Sequence, residues 1–413
     1  MAFASRSSSP GAASCQTAAA SPLHRAAQAI AALLAAGEPF DTARLRAAMI
    51  PAFGADDAAG AWDWKAAYDA CEGAQVLLLR AYGRALMARA GSPPQCLALW
   101  DRIARQIPTH TRRSLTSQAL QQFSTPLPLG YAAARAAAIR EGDLVLEPSA
   151  GTGMLAIHAE LAGARLALNE FDPARAAFLA ELFGGVPVTR HDAAAIDDRL
   201  DAGVRPDIVL MNPPFSVAAH VDGRMRGAAL RHIASALARL VDGGRLVAIV
   251  GAGCAPQAPG WRPAFEALRE QATLRFSEAI AGQVYARHGT TTRTRLLVFD
   301  KPPAAASSIR TPERGEAPDL ATLLAWIEAD LPARPQYGLQ AAEPAVLQAP
   351  VIAAGASRKI ARTQDLQPPR IPALAEDSQE LGYAVHEWQA PCGRLSDAIY
   401  EPYALQSLSL IHI

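Results

Sequence analysis

The segment from Asp207 to Ser216, DIVLMNPPFS, limits the architecture of this chain more than any other. Ile208 to Met211 are consecutive apolar residues, the composition of a strand buried on both faces. Asn212-Pro213-Pro214-Phe215 follows at once. Proline has no N–H for a sheet ladder, so two in succession end the strand. Beyond that end stand an amide side chain, carbonyls with no N–H beside them, and an aromatic ring. In open α/β sheets, ligands bind beyond the carboxyl ends of strands. The set suits a planar group bearing an exocyclic amino nitrogen, such as a nucleobase.

The surroundings of this strand predict the rest of the sheet. From Phe123 onward, short apolar runs alternate with helical stretches. The runs at 144–147, 165–169, 187–190, 207–211, 245–250, 273–278 and 295–300 read as strands. Those at 152–161, 173–183, 225–240 and 261–271 read as helices. Such alternation predicts a mostly parallel seven-stranded α/β sheet with helices on both faces, the last two strands pairing antiparallel.

Four regions are expected. Residues 1–22, rich in Ser and Ala, read as disordered. Residues 23–115 read as a small helical domain, with Asp41 capping one helix. Trp62, Trp64 and Trp100 are assigned to its core. Residues 120–303 form the α/β domain. Residues 304–413 read as a linker with one helix near 318–329.

Composition narrows the class. Lys and Arg number 39, as do Asp and Glu, so a chain-wide electrostatic grip on nucleic acid is not expected. The five cysteines are scattered without a CxxC pair, which predicts neither a disulfide framework nor a metal site. The apolar run from Ala26 to Ala36 is too short to span a bilayer, and a cytoplasmic location is expected.

Each strand end carries a candidate group. Glu147-Pro148-Ser149-Ala150-Gly151-Thr152-Gly153 follows the first strand, with Ala156 completing a G-x-G-x-x-A spacing. Such a turn lets a ligand approach backbone N–H groups, or is simply a tight strand-to-helix turn. Glu170 ends the second strand, about 20 residues after the glycines, where a ribose hydroxyl pair is held. Asp172 reads as a helix cap before Pro173. Asp192 ends the third strand, either accepting from an adenine amino group or capping a helix. His220, His232 and His288 read as loop or rim residues. Two basic clusters, 220–226 with Arg231 and 287–295, are equally open to phosphate contact or to being a solvated rim.

Taken together, the glycine loop, Glu170, Asp192 and Asn212-Pro-Pro-Phe215 resemble the class I S-adenosylmethionine-dependent methyltransferases, and among them the enzymes that modify adenine N6 in DNA. The resemblance covers about 120–303. It implies that Phe123, Thr125 and Pro126 of an FSTP segment close over the methionine part of the cofactor. Glu147, Ser149, Gly151, Gly153, Glu170 and Asp192 would complete its site. Asn212, Pro213, Pro214 and Phe215 would hold a flipped base, and DNA would be the partner. The wider arrangement, with HGTTTRTRLLVFDK, resembles methylase–helicase fusions of the strawberry-notch kind, including phage and plasmid antirestriction proteins. Gly393–Tyr403 resembles the start of such a helicase, and no Walker GxxxxGK[ST] follows, so a truncated gene is expected. Leu408–Ile413 resemble a translated sequencing adapter and are expected not to be native. Two further readings stay open: a methyltransferase acting on an RNA base, and an inactive cofactor-binding module of a helicase.

Overall fold

A computed structural model describes residues 20–37, 40–110, 124–214, 228–301 and 314–334. Four helices come first: α1 (Pro22–Ala36), α2 (Thr42–Phe53), α3 (Trp64–Ala90) and α4 (Pro93–Gln106). Ser21, Asp41 and Asp63 cap the first three, each side chain accepting from an N–H three residues on. Helix α5 (Leu127–Ala137) then leads into the sheet. The sequence reading did not foresee α5, because Pro126, Pro128 and Gly130 look like breakers. Two of them instead sit at the helix start, where a missing N–H costs nothing.

The sheet and its helices follow as β1 (Leu144–Glu147), α6 (Ala156–Leu161), β2 (Arg165–Asn169), α7 (Pro173–Leu182), β3 (Val188–Thr189), α8 (Ile196–Arg199), β4 (Ile208–Met211), α9 (Ala228–Arg239), β5 (Arg245–Gly251), α10 (Arg262–Arg269), β6 (Thr273–Ile280), β7 (Thr294–Asp300), β8 (Glu316–Ala317) and α11 (Leu320–Asp330). Strand order is β3-β2-β1-β4-β5-β7-β6-β8. Strands β1 to β5 pair in parallel, and β7 runs antiparallel to both β5 and β6. The expected α/β architecture is therefore present, with eight strands where seven were expected. The eighth, only two residues long, adds parallel to the free edge of β6. A pair so short carries no periodicity, so nothing local marks it as a strand. Helix α11 follows it and buries Leu323, Leu324 and Ile327, so part of the expected linker belongs to the fold.

Three apolar layers hold the sheet. Strand β4 shows the division: Ile208 and Leu210 face one core with α5 and α11, while Val209 and Met211 face the other with α9 and α10. A third core joins α1, α3 and α4 to α6, α7 and the glycine turn. Trp62 and Trp100 lie in it as expected, with Trp64 packed against it. Helix α3 approaches α7 closely because Gly73 has no side chain; a Cβ there would stand 2.4 Å from Phe178. Among the described residues, no helix is long and apolar enough to cross a membrane. The expectations for residues 1–19 and 335–413 lie outside the described residues, as do Phe123 and Phe215.

Candidate active site

Strand order reverses between β1 and β4, which opens a crevice at their carboxyl ends. A cavity of about 510 Å³ occupies it. Thr125, Glu147, Ser149, Gly151, Glu170, Asp192, Asn212, Pro213 and Pro214 all line this one cavity. Gly153 stands just outside the lining and Pro126 begins the segment that enters α5.

The glycine turn is held from both sides. Gly151 donates its N–H to Glu170 Oε2 at 2.7 Å, and Asp172 donates to Oε1 at 2.9 Å. That N–H is therefore already engaged by the acid that ends β2, rather than free as a bare phosphate loop would have it. Carboxylate oxygens have further lone pairs, so Glu170 keeps acceptor capacity toward the cavity. Gly153 has φ +83°, and a Cβ there would stand 2.2 Å from Phe183. Only glycine meets both demands. Helix α6 starts at Ala156, later than the expected residue 152, because the turn runs through Leu155.

Beneath the turn, Arg175 donates to Asp69 Oδ1 of α3 at 2.7 Å, and Lys65 donates to Oδ2 at 2.9 Å. Burial works to raise the Asp69 carboxyl, but the two cations outweigh it and hold it below the usual range. The pair fastens the helical layer to the wall of the cavity.

Two buried polar atoms at the cavity lack a partner among the described residues: Glu147 Oε2 and His232 Nδ1. Burial pushes the Glu147 carboxyl well above the usual range, with Glu170 adding to the effect and the Ala156 N–H opposing it. Burial lowers His232, which Asp192 partly offsets. Orphaned buried polar groups cost free energy unless a ligand satisfies them. Asp192 caps the short 3-10 turn through Ala194 at 2.9 Å, as the capping reading expected, and also lines the cavity.

On the β4 side, Asn212 Nδ2 donates to Thr125 Oγ1 at 3.0 Å. The Tyr285 hydroxyl, fully buried, also neighbours the Asn212 amide. The bond to Thr125 fixes the orientation of the Asn212 amide.

Two residues that sequence reasoning passed over belong here. Phe171, 68% exposed, presents a ring at the cavity wall beside Glu170. Its position directly after the acid was the available signal. His232 was placed on the rim but lines the cavity. The basic cluster at 287–295 is engaged within the protein: Arg287 donates to Ile107 and Arg105 carbonyls and the buried Arg295 to Ser277, while Arg293, exposed, pairs with Glu316. Residues 220–226 lie outside the described residues.

No family model matches the sequence. No curated protein matches it either. Among solved structures, the chain is similar to TrmN from Thermus thermophilus, at 22% identity and TM-score 0.33, over 46% of this chain and 54% of that one. It is similar to a type I restriction-modification methyltransferase subunit from Streptococcus thermophilus, at 18% identity and TM-score 0.37, over 46% and 48%. A TehB-like S-adenosylmethionine-dependent methyltransferase from Corynebacterium glutamicum aligns at 17% identity and TM-score 0.31, over 41% and 87%. The chain thus spans about half the length of the first two. These scores fall short of establishing a shared fold, so the architecture is assigned from the strand order and pairing.

Proposed function

We propose that this chain transfers a methyl group from S-adenosylmethionine to the exocyclic N6 amine of adenine in DNA, as the methylase part of a methylase–helicase. One observation carries the reading: the glycine turn, Glu170, Asp192 and Asn212-Pro213-Pro214 converge on a single cavity at the switch point of the sheet.

The residues present fit the cofactor. Glu147, buried with an orphaned oxygen, is suited to an ammonium, and Ser149 stands beside it. Glu170 would take the ribose hydroxyls and Asp192 the adenine amino group, with Phe171 against the ring. Phe123, Thr125 and Pro126 would close over the methionine end. When bound, the cofactor supplies an electrophilic methyl on a sulfonium, so no strong base is needed.

The chain's own contribution is position and polarisation. Asn212 Oδ1 and the Pro213 carbonyl accept hydrogen bonds from the target amine. That draws the nitrogen lone pair out of conjugation and aims it into the cavity. Phe215 would stack on a base extruded from its helix.

The test pairs a calorimetric titration of S-adenosylmethionine with tritiated-methyl incorporation into duplex DNA and into RNA, followed by base analysis. N6-methyladenine in DNA is expected. Asn212→Ala should retain cofactor binding and lose about 10²–10³-fold in turnover, the usual cost of one oriented polar group. Label in RNA alone would reassign the substrate, and a chain that binds no cofactor would overturn the reading.

A further inference from the structure

Behind the glycine turn, three side chains from distant parts of the chain meet: Glu72 of α3, His110 beyond α4, and His288 at the end of the 3-10 turn before β7. One ligand-competent atom of each lies within 4.8 Å of the others. The backbone holds them together. His110 donates its N–H to the Arg287 carbonyl at 2.8 Å, and Arg287 in turn donates to the Ile107 carbonyl at 2.6 Å. Tyr68 stacks on the His110 ring with centroids 4.0 Å apart.

The geometry has the dimensions of a coordination site. The His110 and His288 ring centroids are 4.9 Å apart, at 67°. Two imidazoles bound at about 2.1 Å to one tetrahedral ion place their centroids about 5 Å apart. Glu72 is 1% exposed, and among the described residues no lysine or arginine lies within ion-pair distance of it, Arg175 acting on it only from farther off. Asp69, one turn earlier, has two such partners. Glu72 instead accepts from Thr152 Oγ1 at 2.7 Å and from the Ser124 hydroxyl.

We propose that Glu72, His110 and His288 form a divalent transition-metal site of the zinc type, with a fourth position open to water. Two imidazoles and a carboxylate are a zinc donor set, whereas magnesium and calcium prefer oxygen alone. The bound ion would clasp α3, the segment at 107–110 and the 282–288 turn together. Through Glu72 and Thr152 it would brace the glycine turn from behind. The scattered cysteines pointed away from zinc, but this cluster uses none of them.

The test requires no methyl transfer. The full chain is stripped with a chelator and titrated with Zn²⁺ alone, and bound metal is counted by mass spectrometry after gel filtration. One equivalent per chain is expected, with a rise in the thermal midpoint. The pair His110→Ala and His288→Ala should bring bound zinc to background, and Glu72→Gln should weaken affinity at least tenfold. Should the double variant fail to fold, Co²⁺ added to the unaltered chain decides. Visible absorption of tetrahedral intensity, bleached by Zn²⁺, is expected. No bound zinc, a full equivalent retained by a folded double variant, or a Co²⁺ spectrum of aquo-ion intensity would each overturn the proposal. In that case the cluster is a proton-sharing network of Glu72 with the two imidazoles.

Discussion

On the β1–β3 side of the cavity, each acid is fixed by a backbone N–H close to it: Glu170 by Gly151 and Asp172, Asp172 by Arg175, Asp192 by Ala194. On the β4 side, Asn212 is fixed by Thr125, 87 residues earlier, with Tyr285 of a third segment alongside. One side is built from neighbours along the strand ends and the other from parts of the chain that meet only in the folded state. Damage to the first side should therefore register as lost stability or lost grip on a ligand. Damage to the second should register as a misdirected amide in a protein that still folds.

The largest effect expected on the first side comes from its brace. Arg175→Ala leaves Asp69 buried with only Lys65 beside it, and removing one partner of a buried ion pair costs about 3–5 kcal/mol. Urea unfolding of the full chain measures it. A loss below about 1 kcal/mol would show that the helical layer does not depend on this contact.

His158 on α6 ties the two sides together, since its Nε2 donates to the Leu127 carbonyl at 3.2 Å, just past Thr125. Burial lowers its pKa from 6.5 to about 4, against a weaker opposing effect of that carbonyl. Between those values the unfolded chain takes up a proton that the folded chain refuses. The contribution to stability is thus complete above pH 6.5 and is lost as pH falls to about 4. The total is about 3 kcal/mol at 1.36 kcal/mol per unit. His158→Gln should remove this part of the pH dependence, so unfolding free energies of the two proteins, compared from pH 7 to 4, should converge or cross. A constant difference across that window would contradict it.

Gly153→Ala comes next. The substitution puts a Cβ at φ +83° and 2.2 Å from Phe183, so backbone strain and overpacking add to about 2 kcal/mol. The thermal midpoint should fall and partly recover when Phe183→Leu is added. Recovery would locate the cost in packing, and its absence would locate it in the backbone.

The same division explains what could be read from the sequence. Strands β1 to β7 and the acids at their ends announce themselves within a few residues, through apolar runs, glycines and prolines. Phe171 was readable in principle, being adjacent to Glu170. His232 was not, because which face of α9 meets the cavity is decided by how that helix packs on β4 and β5. The same holds for Asp69, Glu72 and His288. In sequence they are charged residues on a helix and a histidine in a loop; the packing of α3 against α6, α7 and the glycine turn buries the two acids, and His288 reaches them only in the folded chain. Arg287 and Arg295 looked like a phosphate-binding rim because charge alone does not reveal that their partners are carbonyls inside the protein.

Thr125 tests the comparison most finely, because the FSTP resemblance assigns it to the cofactor while its hydroxyl accepts from Asn212 at 3.0 Å. Thr125→Val keeps the shape and removes that acceptor. A hydrogen bond of this kind contributes about 1 kcal/mol, so turnover should fall about fivefold as the amide loses its fixed orientation. If Thr125 serves the β4 side, affinity for S-adenosylmethionine is unchanged and Thr125→Ser restores turnover. If it serves the cofactor, affinity falls by a similar factor and turnover at saturation holds. The second outcome would mean that Asn212 is oriented by Tyr285 alone. Tyr285→Phe would then carry the larger loss in turnover.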